Sequence, residues 1–247
     1  MNKKFGLWVF ALAFSLAIPF GKFASTSERD EVTFGLTKLG IPKPEGHCKI
    51  EESEGRASIL LDWQKEGQFK IGNKLLAFWV DCAWLGDFNS GLESELSKWM
   101  IIVAGLSGPE KREQVFPKLS RKSYIEYMLK QSGQFTDKHH TEAFNKSANE
   151  ALREANKKFL SNRDAVKSGE LIPLGVLGVS DSIHVGYIQS VEGQTGNILV
   201  GSVFSSTLVH GAVVHTYFYE EYENEGTIQE LLHEAKTYSA KFIVSNK

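Results

Sequence analysis

The chain predicts an α+β fold in which an antiparallel β-sheet is layered with amphipathic helices. From Ile172 to Tyr219, four runs rich in β-branched and aromatic residues alternate with a period of two. The links between these runs are too short for crossover helices, so consecutive strands form an antiparallel meander. Three further segments repeat apolar residues at helical spacing. Such stripes need an apolar surface to cover, and the sheet supplies it.

At the N-terminus, Lys3 and Lys4 precede an apolar run from Phe5 to Phe20, followed by small and polar residues from Ala24 to Ser27. A positive start and an apolar segment shorter than the about 20 residues of a spanning helix are the layout of an export signal. Residues 1–24 are expected to be a signal peptide and the mature protein to be periplasmic or secreted. Retention of the run would instead tether an envelope protein to the membrane through its N-terminus.

Composition narrows the partners. The 28 basic and 30 acidic residues include Lys3, Lys4 and Lys22 of the leader, so the mature chain carries a net charge of −5. Nucleic acids and anionic membranes reward clustered positive charge, which this chain lacks. The most basic stretch, Lys111 to Lys130, is interleaved with Glu110, Glu113 and Glu126 and reads as a solvated helix face. Cys48 and Cys82, the two cysteines of the chain, are expected to pair in an oxidising compartment.

Residues 25–54, with Gly40, Pro42, Pro44 and Gly46 among charges, read as an extended arm leading to Cys48. Residues 55–247 read as one α+β domain. Its first helix carries Ala57, Leu60 and Leu61 and ends by Gly72. Leu75–Asp81 and Trp99–Ala104 are runs of strand length that pair with one another.

A helical insert spans about 120–162. Ser120 is the N-cap for Tyr124, Ile125, Met128 and Leu129, with Gly133 as the stop. Thr136 and Asp137 open a longer helix striped by Phe144, Ala148, Ala151, Leu152, Ala155 and Phe159. Its small residues suit close packing on a sheet.

In the meander, His210-Gly211 reads as a two-residue hairpin turn, since glycine takes positive φ freely and histidine tolerates it. That turn fixes the register. Thr207 faces Val214, Ser206 faces His215 and Phe204 faces Tyr217. Thr227 with Glu230 reads as a capping box for a last helix through Ile228, Leu231, Ala235, Tyr238 and Phe242.

The arm Ile41-Pro42-x-Pro44-Glu45-Gly46-x-Cys48, the strand Leu75-Leu76-Ala77-Phe78 ending in Asp81-Cys82, and the C-terminal hairpin and helix resemble a family of exported proteobacterial proteins of uncharacterised function. The order of elements is similar to the Mog1/PsbP-like α/β/α sandwich. That resemblance implies a binding or accessory module rather than an enzyme.

Ser206 opposite His215 pairs a hydroxyl with an imidazole, the beginning of a nucleophile and base, and so the candidate catalytic pair of a small periplasmic hydrolase. No Gly-x-Ser-x-Gly turn exposes a serine, and a cross-strand hydrogen bond explains the pair equally. Asp81, Trp84, Asp87 and Phe88 are a candidate binding loop for a sugar or peptide, or else aromatic core beside the disulfide. His139-His140 lacks the His-x-x-x-His spacing of a helical metal site. Glu220, Glu221, Glu223 and Glu225 lack the alternating pattern of a calcium loop. Asn145-Lys146-Ser147 has the form of a glycosylation acceptor.

The expectation is therefore an exported, non-enzymatic accessory or binding domain with no metal and no cofactor. Its partner, a protein or a small molecule, would be held on the sheet or at Trp84.

Overall fold

Arg29–Phe34 (β1) and Thr37–Pro42 (β2) form an antiparallel hairpin in the computed structural model, which describes residues 29–53, 55–91, 96–159, 167–193 and 196–247. The expected signal peptide lies outside the described residues. The extended arm is corrected here. Val32 and Phe34 alternate with Glu31 and Thr33, a strand period, and Gly35 closes the turn at φ 59°. Phe34, Leu39 and Ile41 are completely buried, so this hairpin belongs to the core.

His47–Lys49 (β3) leads to the helix Ala57–Lys70 (α1), which ends before Gly72 at φ 87°. Asn73–Asp81 (β4) follows, and Cys82–Asn89 is a helix (α2) where a loop was expected. Asp81 makes that helix by accepting the backbone N–H groups of Ala83 and Trp84, satisfying two donors that would otherwise be orphaned. Cys48 and Cys82 form the expected disulfide, tying β3 to the start of α2 across 34 positions of chain.

Lys98–Ser107 (β5) pairs with β4 as expected, and Arg112–Glu113 (β6) is a short edge piece. Arg121–Lys130 (α3) is capped by Ser120, whose Oγ accepts from the Ser123 N–H. A 3₁₀ turn, Ser132–Phe135, connects it to Lys138–Phe159 (α4).

The meander then runs Lys167–Val179 (β7), Ile183–Gly193 (β8), Gly196–Val209 (β9) and Ala212–Glu221 (β10). His210 and Gly211 take φ 48° and 79°, and the register is the expected one: Val209 faces Ala212 and Ser206 faces His215. Glu225–Val244 (α5) closes the fold. Its cap is Asn224, whose side chain accepts from the Gly226 N–H, rather than the expected box at Thr227.

The α+β class stands, with an antiparallel sheet ordered β3-β4-β5-β10-β9-β8-β7. One face is sealed by α5 and the β1–β2 hairpin around Trp79, Met100, Phe218, Leu231 and Phe242. Asn246 locks hairpin to helix: its amide accepts from the Gly40 N–H and donates to the Gly40 carbonyl, each at 2.7 Å. On the other face, α1 and α2 cover Phe78, Val80, Ile101 and Val103 at one end. Tyr124 and Ile125 of α3 cover Leu208 at the other. Helix α4 spans between these ends, and its principal contacts are with α1 and β7 rather than with the central strands.

Candidate functional site

Strand β10 lies mid-sheet, and its period of two sorts its residues by face. Val214, Thr216 and Phe218 are buried toward α5, whereas Val213, His215, Tyr217 and Tyr219 keep partial contact with solvent on the opposite face, which α1, α2 and α3 share. Register carries the same face onto the neighbouring strands. Tyr217 faces Phe204, Phe204 faces Val185, and Tyr187, two residues along β8, faces Ser202.

These side chains form a continuous aromatic floor. Trp99 stacks on Tyr219 with centroids 4.9 Å apart, and Tyr219 on Tyr217 at 6.1 Å. Phe204 lies 5.0 Å from Tyr217 and 5.1 Å from His215, with Phe135 at 6.5 Å.

The polar tips of this floor are its unusual part. The hydroxyls of Tyr187, Tyr217 and Tyr219 have no hydrogen-bond partner among the described residues. Burial pushes all three upward, that of Tyr187 to about 12. The Tyr217 hydroxyl is raised further by those of Tyr219, Tyr187 and Tyr124. Tyr217 and Tyr219 pack against the cluster of Phe78, Trp84 and Ile101, and Tyr187 and Tyr217 against that of Ile183, Val185 and Phe204. Ala151 and Ala155 of α4 are buried, and Asn156 beside them accepts from the Trp63 indole of α1.

At one end of the floor, a chain of hydrogen bonds leads into the fold. Tyr124 Oη and Ser206 Oγ are 2.5 Å apart, and Ser206 Oγ and His215 Nδ1 2.8 Å. Ser206 is fully buried, burial lowers His215 to about 4 and raises Tyr124 to about 12, and among the described residues no carboxylate bonds the imidazole. The sequence thus placed Ser206 against His215 correctly, but the serine is enclosed between two neutral partners. A nucleophile needs an open approach and an orienting acid, and this one has neither.

The candidate binding loop is dispersed by α2. Asp81 is occupied as the helix cap, Trp84 is buried and stacks on Phe88 at 4.7 Å, and the Arg56 guanidinium lies over the other ring at 4.9 Å. Asp87 points to solvent, away from the aromatic floor's strands. The bland alternative, aromatic core beside the disulfide, is where Trp84 sits.

Both ends of the Asn145 amide are engaged at β7, donating to the Gly169 carbonyl at 2.7 Å and accepting from the Ser168 hydroxyl at 3.0 Å. With Asn149 accepting the Ser168 N–H, α4 covers the start of an edge strand that would otherwise expose its backbone. Among the described residues, no group of three His, Cys, Asp or Glu side chains gathers to hold a metal. Of the four glutamates from Glu220 to Glu225, Glu220 lies 3.6 Å from Lys98, which also bonds Glu234 of α5.

The aromatic floor was legible in part. Once Ser206 faces His215, the residues His215, Tyr217 and Tyr219 must share a face, and that spacing is the signal that was available. No protein-family model matches the chain, and no curated protein matches it.

Proposed function

We propose that this protein is an exported, non-enzymatic binding domain that holds a small molecule on the aromatic face of the sheet around Tyr187, Tyr217 and Tyr219. One observation carries the reading. Among the described residues the hydroxyls of Tyr187, Tyr217 and Tyr219, all on half-buried strand positions, have no hydrogen-bond partner, and a hydroxyl left unpaired in such a setting costs stability unless a ligand completes it. The likeness to Mog1/PsbP-like binding modules and to exported proteobacterial proteins points the same way. Export is further supported by the Cys48–Cys82 disulfide, a bond that persists in oxidising compartments. Among the described residues no helix is long and apolar enough to cross a membrane.

The test is a ligand-observed NMR screen of neutral, anionic and cationic fragments, run on the wild type and on the triple variant Tyr187→Phe, Tyr217→Phe, Tyr219→Phe. Binders should shift the tyrosine ring resonances and be lost in the variant. A screen that leaves those resonances unmoved sinks the proposal. Intact mass of the exported protein reports removal of residues 1–24, and retention of them would favour the tethered form.

A further inference from the structure

A concavity whose lining includes none of the sheet tyrosines lies where α1, the first residues of β4 and the end of α4 meet. Its volume is about 600 Å³, within the range that takes a small molecule. Asp62, Glu66 and Phe69 stand at i, i+4 and i+7 on α1 and so line one wall together. Gly72, at φ 87°, turns the chain back and sets Lys74 and Leu75 of β4 beside that wall. Lys158 and Phe159 complete the lining, held there because α4 is fastened to α1. The Trp63 indole donates to Asn156 at 2.9 Å, Lys70 lies 2.8 Å from Glu154, and Lys158 donates to Glu66 at 2.8 Å.

Two kinds of group line this space. Phe69, Leu75 and Phe159 supply apolar surface, and Phe69 is left 48 % exposed despite its size. Lys65, Lys74 and Lys158 supply ammonium groups, against the carboxylates of Asp62 and Glu66. Three cations and two anions give the lining a charge of +1, on a chain whose net charge is −2. Positive charge adjoins the apolar surface directly: the Lys158 ammonium lies 4.8 Å from the centre of the Phe159 ring, and that of Lys111 4.5 Å from that of Phe69. An ammonium carries three donors, so a lysine bonded to one carboxylate can take a second. Lys49 of this chain does so, at 2.9 Å from Asp30 and 3.0 Å from Glu51.

A cation entering here would meet three lysines. A phosphate monoester, with about two negative charges, would leave surplus negative charge beside Asp62 and Glu66. A single carboxylate balances the lining, and a hydrocarbon attached to it covers the exposed ring surface. We propose that this cavity binds a small apolar monocarboxylate, with its hydrocarbon body against Phe69, Leu75 and Phe159 and its carboxylate on the ammonium groups of Lys65, Lys74 and Lys158. The inference does not depend on the tyrosine reading above.

The probes are 2-naphthoate, its uncharged counterpart 2-naphthamide, and 2-naphthylmethylammonium, each titrated by NMR into the disulfide-intact mature protein. Naphthoate should shift the backbone resonances of Asn73, Lys74 and Leu75 and bind about tenfold more tightly than the amide at low ionic strength. That advantage should shrink in about 0.5 M salt, which screens exposed charges. Lys158→Gln removes one ammonium and leaves Glu66 without its partner at 2.8 Å, so it should cost naphthoate about fivefold and leave the amide unchanged. Phe69→Ala should weaken both, with thermal denaturation confirming that each variant is folded.

Equal affinity for naphthoate and naphthamide would show the lysines idle and overturn the inference, as would tighter binding of the ammonium probe. Shifts at Tyr217 and Tyr219 in place of those at Asn73 to Leu75 would overturn it while supporting the tyrosine reading. If no probe shifts any resonance, the monocarboxylate site is removed and the tyrosine reading is decided by its own fragment screen.

Discussion

Tyr124 of α3 and Ser206 of β9 are joined by a 2.5 Å hydrogen bond across 82 positions of chain, and Ser206 passes the contact on to His215. The phenol is the stronger acid, so the chain runs from Tyr124 to Ser206 to Nδ1 of a neutral imidazole. The relation is structural: it pins α3 to the sheet beside the aromatic floor.

Ser206→Ala should therefore destabilise the fold by about 1–3 kcal/mol, because it leaves the Tyr124 hydroxyl and His215 Nδ1 unpaired in a buried setting. Urea denaturation measures the loss. Hydrolysis of a p-nitrophenyl ester should be the same in the variant and the wild type; activity that disappears with Ser206 would restore the hydrolase reading.

Acid should weaken the fold in a definite window. His184 is fully buried beneath α5, with Nδ1 bonded to Ser205 at 2.7 Å, Nε2 unpartnered and Lys236 as the nearby charge. Burial lowers it, like His215, to about 4. Between pH 6.5 and 4 the unfolded chain binds protons that the folded chain refuses, so stability is complete above about pH 6.5 and is lost as pH falls toward 4. His184 alone accounts for about 3 kcal/mol of this, His215 for less because it keeps some water. Thermal midpoints at pH 7.5, 6 and 4.5 should fall in wild type and fall less in His184→Gln. Depressed carboxylates such as Glu113 act below this window.

Gly211→Ala should cost about 2–4 kcal/mol. At φ 79° a side chain is strained, and its Cβ would lie 2.8 Å from the Phe116 carbonyl carbon, which is backbone and cannot rotate away. Calorimetric melting of the purified variant checks it, and a change below 0.5 kcal/mol would mean that the 115–116 segment does not pack on the hairpin.

Asp81→Ala should lower stability by about 1 kcal/mol through loss of the α2 cap and leave fragment binding at the sheet tyrosines unchanged. Replacing Cys48 and Cys82 by serine should cost about 3–4 kcal/mol for a loop of 34 positions. If Asp81→Ala abolished binding instead, the site would lie at α2 and not on the sheet.

Much of this fold is local in origin and was legible residue by residue. The His210-Gly211 turn dictated the register of β9 and β10, because a two-residue loop leaves one way to align the flanking residues, and Ser120 announced α3 through its own side chain. The N-terminal hairpin was missed because Gly40, Pro42 and Pro44 masked the alternation of Val32 and Phe34, and its stability comes from Asn246 and Tyr238, some 200 positions away. Helix α2 was missed because eight residues carry too little periodicity, and its cap, Asp81, read equally well as a ligand.

By itself the sequence determined the class of the fold, the pairing of its cysteines and the sharing of one sheet face by His215, Tyr217 and Tyr219, since turn chemistry and side-chain period are properties of neighbouring residues. Tertiary structure alone decided which faces are sealed. Helix α5 closes one side of β10 completely, whereas α4 rests on α1 and β7, and the tyrosines of the other side stay half-buried with hydroxyls that have no partner among the described residues. Whether an aromatic row becomes core or cleft depends on how far the covering helix stands from it, and no local pattern encodes that distance.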